Sequence, residues 1–150
     1  MSHRLDYAKA APEGYKAYFG VYTAVQKSGL PKELIDLVYL RVSQINGCAY
    51  CIDMHSRDLL KEGVAVEKLV LVPAWREGGP LFDETERAAL AWAETVTRVS
   101  ETGVPDADYE AAAAAFDEKQ LADLTIAIGL INAYNRVAIS FRATPEAAKQ

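Results

Sequence analysis

The sequence predicts an all-α fold, and three observations carry that prediction. Apolar residues recur every three or four positions over most of the chain, as they do on one face of a helix. Glycine and proline punctuate these runs, and two acidic capping patterns, Asp83 with Glu86 and Asp117 with Gln120, stand at the start of later ones. No stretch alternates apolar and polar residues at period two between turn pairs, so no strand is expected.

The elements follow in order. Met1 to Ala11 carries Arg4, Asp6 and Lys9 with little periodicity and is expected to form an arm. From Pro12 to Ser28, Tyr15, Tyr18, Phe19, Tyr22 and Val25 recur at helical spacing until Gly29, and this aromatic stripe is expected to serve core or subunit interface rather than substrate. Pro31 suits the first turn of a helix through Leu34, Leu37, Val38, Leu40 and Ile45, which Asn46-Gly47 breaks. A second helix runs from Cys48 to its C-cap Gly63. Val66 to Leu71 forms a short helix before a loop broken by Pro73, Gly78, Gly79 and Pro80, in which Trp75 is expected to anchor the loop.

The Asp83 cap opens a helix through Leu90, Ala91, Trp92 and Val96 to about Val99, ended by Gly103-Val104-Pro105. An alanine-rich helix spans Asp106 to Phe116. The Asp117 cap opens a long helix, 117–139, with Leu121, Leu124, Ile128, Ile131 and Tyr134 on one face and Asn132 and Asn135 as polar groups that could turn to a site. Lys32, Leu34, Asp36 and Leu37 match Lys119, Leu121, Asp123 and Leu124 at a constant offset, and Ile45-Asn46 matches Ile131-Asn132 after a one-residue slip. That is the mark of either a helix-pair duplication or chance. The tail from Arg142 to Gln150 is expected to be disordered.

Size and composition narrow the function classes. A chain of 150 residues that is 51% hydrophobic is one domain, 1–150, with enough apolar surface for a proper core. A net charge of -5 argues against nucleic acid or an anionic membrane as partner. With no N-terminal apolar leader and no run of about 18 apolar residues, the expected location is cytoplasmic. There a Cys-x-x-Cys pair is catalytic more often than structural.

That pair is the chemical centre. Both cysteines and one of the two histidines lie between Asn46-Gly47 and Gly63. If Cys48 opens the second helix, Cys48, Cys51 and His55 sit at i, i+3 and i+7, on one face. A thiol at a helix N-terminus has its thiolate favoured, and the thiolate is the nucleophile. The i, i+3 spacing lets the two sulfurs close a short disulfide. His55, one turn beyond Cys51, is placed to move its proton. The turn should leave Cys48 near the surface, where an external reductant would meet it first.

The same residues admit duller readings. Two cysteines and a histidine could ligate zinc with a carboxylate as fourth ligand, or the cysteines could be small hydrophobes of a core. No metal or cofactor is expected, however, because His3 lies far off in the N-terminal arm. No βαβ pattern accompanies the pair, which disfavours a thioredoxin-like domain. A helix-borne redox dithiol is the main reading.

Asp36, then eleven residues, Cys48-Ala49-Tyr50-Cys51, three residues and His55 resembles the redox core of the AhpD-like alkylhydroperoxidases, within the carboxymuconolactone decarboxylase superfamily. The resemblance extends over most of the chain. It implies a bundle of about six or seven helices that assembles into homo-oligomers, most often trimers or hexamers, and reduces peroxides at the expense of a dithiol or redox-protein reductant. It also implies that Cys51 attacks the peroxide, that Cys48 resolves it as a disulfide, and that His55 relays protons to a carboxylate at Asp36.

The sequence departs from that pattern twice. Family members carry glutamate where Asp36 stands, so a bridging water could replace a direct contact, or Glu33 one turn earlier could substitute. Tyr50 stands between the cysteines where some members have a second histidine. The generic rule for a helix start favours Cys48 as the activated thiol, whereas the position of His55 favours Cys51, which is the assignment adopted for peroxide attack. The expected function is thus a thiol peroxidase, with a redox sensor or oligomerisation module as the alternative. Lactone decarboxylation is disfavoured because that branch does not rely on a Cys-x-x-Cys.

Overall fold

The structure, a computed structural model, describes residues 2–149. Among these it contains nine α-helices and no strand: α1 (Tyr7–Ala10), α2 (Pro12–Gln26), α3 (Lys32–Asn46), α4 (Ala49–Lys61), α5 (Val66–Leu71), α6 (Glu84–Thr97), α7 (Val99–Thr102), α8 (Asp106–Ala115) and α9 (Glu118–Phe141). The two helices beyond the expected seven, α1 and α7, are four-residue turns, too short to show a period. Each instead has a local cause. Asp6 caps α1 by accepting from the Lys9 amide at 3.2 Å. Gly103, left-handed at φ 60°, closes α7.

The central element is α3, which packs against α4, α6 and α9. It buries nine of its 15 residues, including Leu34, Ile35, Leu37, Val38, Tyr39, Leu40 and Val42. A helix buried nearly all round belongs in the middle of a bundle. The larger core lies where α3 meets α2, α6 and α9, with Val38, Val42, Trp92, Leu124, Ile128 and both cysteines in it. A second cluster on the far side of α3 joins Leu37, Leu40 and Leu59 to Val72, Trp75, Phe82 and Leu90. Trp75 is the anchor that the loop required. It is buried, donates to Glu94 Oε1 at 2.9 Å and carries the Arg76 guanidinium 4.2 Å from its ring.

By length and apolar composition the stretch that contains α9 would be long enough to cross a membrane. Instead α9 packs against α2, α3 and α6 as a core helix. The two segments with matching sequence, α3 and α9, lie against each other, and the matched asparagines meet: Asn46 Nδ2 donates to Asn132 Oδ1 at 3.0 Å. Where α3 stops at Gly47, α9 has Ala133 and runs on.

Both chain ends are held against the bundle, the tail contrary to expectation. The arm is tied to the end of α9, since the Arg4 amide donates to the Phe141 carbonyl at 3.0 Å and its guanidinium to that of Ser140 at 3.1 Å. The tail expected to be disordered is folded back over the start of α4. Its turn at Glu146–Ala148 packs on α4, and the Ala147 amide donates to Asp53 Oδ2 at 3.2 Å. Met1 and Gln150 lie outside the described residues.

Candidate active site

The turn between α3 and α4 sets the cysteine geometry. Gly47 takes the left-handed conformation, φ 70°, so the chain reverses within one residue. The Cys48 amide then donates back to the Ser43 carbonyl at 2.9 Å and the Gly47 amide to that of Gln44 at 3.2 Å, a Schellman closure of α3. Cys48 becomes the N-cap of α4 rather than its first helical residue, with φ -84° and ψ 92°. Cys51 and His55 follow inside α4, one turn apart.

Both thiols are free and both are buried, Cys48 with 1% and Cys51 with 2% of its surface exposed. This corrects the expectation that Cys48 stands near the surface. The folded-back tail, through Arg142 to Pro145 and Ala148, walls the groove on which Cys48 opens. An advantage in exposure for Cys48 is therefore absent.

The two sulfurs share one proton unequally. The Cys51 S–H beside Cys48 lowers the Cys48 thiol to about 7 against the opposing effect of burial, helped by the Cys51 and Tyr50 amides and the Asn135 side chain. For Cys51 the same contact acts in reverse: its proton is held by the Cys48 sulfur, and burial adds to it, so the Cys51 thiol is pushed well up. Of the two, Cys48 is the thiol whose anion is favoured, as the helix-start rule states.

Asp36 faces His55 from α3. Its Oδ1 lies 3.7 Å from His55 Nδ1, longer than a hydrogen bond, as befits a side chain one methylene shorter than glutamate. Burial alone would raise the Asp36 carboxyl. The His55 imidazole and the Lys32 ammonium, whose Nζ donates to Oδ2 at 2.7 Å, outweigh it and hold the carboxyl below its ordinary range. Lys32 is bound from its other side by Glu62. Glu33, the candidate substitute, turns to Lys68 at 3.1 Å instead and does not face His55.

Two polar residues at the site, Tyr39 and Ser43, were not singled out from the sequence, whereas Asn135, one of the two asparagines that could turn to a site, does reach the turn. Ser43 Oγ accepts from Asn135 Nδ2 at 3.0 Å, and Asn135 Oδ1 accepts from Asn46 Nδ2 at 2.9 Å, which fastens the turn to α9. Tyr39 is buried with its ring centroid 5.1 Å from that of His55. A signal existed: Lys32, Asp36, Tyr39, Ser43 and Asn46 fall at spacings of 4, 3, 4 and 3 within a helix whose other residues are mostly apolar.

Cys51 and His55 open together onto a cavity of about 280 Å³ whose walls are mostly aromatic: Tyr7, Tyr15, Phe19, Tyr22, Tyr39, Tyr50 and Tyr134, with Met54 and Ile131. The α2 stripe assigned to core or interface thus contributes Tyr15, Phe19 and Tyr22 to the wall of this cavity, and the arm contributes Tyr7. Cys48 opens on a different groove of about 380 Å³, between the start of α4, the end of α9 and the tail. Tyr50, the residue between the cysteines, borders both.

Residues 12–95 match the carboxymuconolactone decarboxylase family. The chain is 36% identical over 140 residues to the protein YdfG of Bacillus subtilis (strain 168), covering 93% of this chain and 95% of that one. Among solved structures, it matches ATU0492 of Agrobacterium tumefaciens with a TM-score of 0.92 and 42% identity, over 96% of this chain and 98% of that one. ATU0492 is a protein of unknown function for which antioxidant defence of the AhpD kind has been suggested. The debrominase Bmp8, bound to 2,3,4-tribromopyrrole, shares the fold at 20% identity and a TM-score of 0.79, over 93% of this chain and 74% of that one. The chain belongs to the carboxymuconolactone decarboxylase family, in its AhpD-like branch.

Proposed function

We propose that this protein is an oxidoreductase, a thiol-dependent peroxidase that reduces organic hydroperoxides through Cys51 and Cys48. The observation that carries the reading is that Cys51 and His55 open together onto one apolar cavity, with Asp36 behind His55 and Cys48 behind Cys51. Cys51 is the sulfur a cavity-bound peroxide meets. As it attacks, its proton passes to the Cys48 thiolate, the adjacent base. The S–O bond forms, the O–O bond breaks, and the departing oxygen takes a proton through His55 as water or alcohol. Cys48 then gives up its proton and attacks the Cys51 sulfenic acid, releasing water and closing the disulfide. A dithiol or redox-protein reductant, of the kind kept reduced in cytoplasm, restores the pair.

Association into trimers or hexamers belongs to the same proposal. Tyr18, Phe19 and Val21 of α2, each more than a third exposed, support it. Sedimentation checks it.

The test is peroxide consumption with a dithiol reductant by wild type, Cys48→Ser and Cys51→Ser. Sustained turnover should vanish in both variants, and a sulfenic acid should be trapped only where Cys51 is kept. Undiminished turnover by Cys51→Ser would overturn the mechanism. A second reading, a redox sensor, is favoured by the tail packed over Cys48, because disulfide closure there would disturb it. Disulfide formation without turnover, accompanied by a change in sedimentation or in proteolysis of the tail, would select that reading.

A further inference from the structure

Three polar groups at the aromatic cavity are buried and lack a partner among the described residues: the Tyr39 hydroxyl and both ring nitrogens of His55. Tyr39 is 2% exposed, His55 4%, and both line the cavity beside Cys51. Polar atoms removed from water without a protein partner are costly, so their retention around one cavity marks where a polar atom of a ligand is received. His55 has an assignment in the peroxidase reading. Tyr39 has none.

We propose, resting on that reading, that Tyr39 is a catalytic residue whose hydroxyl donates a hydrogen bond to the oxygen that leaves when the O–O bond of a hydroperoxide breaks. The Cys51 thiolate forms its S–O bond to the terminal oxygen of R–O–O–H. The electron pair of the O–O bond goes to the RO oxygen, sulfur is oxidised by two electrons and the peroxide reduced by two. Charge therefore builds on the RO oxygen before its proton arrives through His55. A fixed O–H donor at that point acts when the charge forms, and Tyr39 keeps its own proton throughout.

The surroundings suit a donor. Burial first, then the neighbouring Tyr22, the Asp36 carboxylate and Tyr134, push the Tyr39 phenol well above its ordinary range, so it stays protonated at any pH where the cysteines react. The ring is held against His55 and forms part of the larger core, which keeps it in place beside the cavity. Tyr22 and Tyr134, which also line the cavity, are only half-buried and can reach solvent.

The experiment is single-turnover sulfenic acid formation in the Cys48→Ser protein, with and without Tyr39→Phe, over organic hydroperoxides whose alcohols differ in acidity. Tyr39→Phe should slow the step by about 10²-fold, the usual cost of one such donor. It should also steepen the dependence of rate on the acidity of the departing alcohol, which a packing role would not do. An unchanged rate and slope overturns the inference while leaving the peroxidase reading intact. Absence of peroxide consumption by the wild-type protein with every hydroperoxide overturns both. Should Tyr39→Phe fail to fold, a fluorinated tyrosine placed at position 39 alone replaces it. Faster reaction of the poorest leaving groups then supports the inference, and no change overturns it.

Discussion

Cys48 and Cys51 are one helical turn apart, yet they open on different cavities, with Tyr50 on the border of both. The pair thus has an aromatic side at Cys51 and a tail-covered side at Cys48. The two thiols differ as well in which holds the proton.

The first prediction concerns access. In Cys48→Ser, alkylation of Cys51 should be blocked by an apolar aromatic alcohol that fills the Tyr-lined cavity. In Cys51→Ser, labelling of Cys48 should ignore that alcohol but accelerate several-fold when the chain is shortened after Arg142. Mass spectrometry of labelled protein reads both. Equal protection of the two thiols by the alcohol would contradict the two-cavity arrangement.

The thiolate should titrate where Cys48 does. Ultraviolet thiolate absorbance of the reduced protein should rise with a midpoint of about 7, against about 8.5 for an ordinary thiol. Cys51→Ala removes the largest cause of that lowering and should move the midpoint upward. Cys51→Ser keeps an O–H donor and should move it less. Because the folded value is depressed, the stabilisation is present above the ordinary thiol value and is lost as pH falls through about 7. Denaturant midpoints of the reduced protein should fall correspondingly between those limits.

Asp36 offers a test of length against charge. Asp36→Asn keeps the shape but removes the anion, and it should lower peroxide turnover by about tenfold or more, within the range of proton-transfer contributions. Asp36→Glu adds the methylene that the 3.7 Å gap to His55 lacks, and it should retain or raise turnover. The carboxyl is held below its ordinary range, so its contribution to stability is full at neutral pH. That contribution fades only as pH falls from the ordinary carboxylate value through the folded one, and acid unfolding of Asp36→Asn beside wild type measures it.

Asn135 ties α9 to the turn through Ser43 and Asn46. Asn135→Leu is similar in size but leaves the Ser43 hydroxyl without that donor and Asn46 with one acceptor fewer. It should cost about 2 kcal/mol, read as a lower urea midpoint at unchanged slope. It should also raise the Cys48 thiol, since the Asn135 side chain favours that thiolate. A stability loss without that rise would restrict Asn135 to holding the turn.

Much of the helical architecture was legible because its signals are local. The Asp83 and Asp117 capping boxes form with both reciprocal hydrogen bonds, and Gly47 and Gly63 end α3 and α4 as left-handed residues. The two four-residue helices α1 and α7 were not, since one turn cannot display a period. Tyr39 and Ser43, in the polar row on α3, were overlooked because they stand among apolar neighbours, and only the shared face gives the row its meaning. The tail was misjudged, and the fastening of the arm not foreseen, for a different reason. A few backbone hydrogen bonds to α9 and one to Asp53 order them, and composition does not encode such partners.

The sequence by itself determined the all-α class, the helix boundaries near their caps, and the grouping of Cys48, Cys51 and His55 on one helix, since each depends on residues within a turn or two. Only the tertiary structure decided how those groups face the rest of the molecule. It buried both thiols, separated their cavities, turned Glu33 to Lys68, and placed the α2 tyrosines over Cys51. These are contacts between segments tens of residues apart, set by how α2, α9 and the tail pack around α3, and local pattern carries no record of that packing.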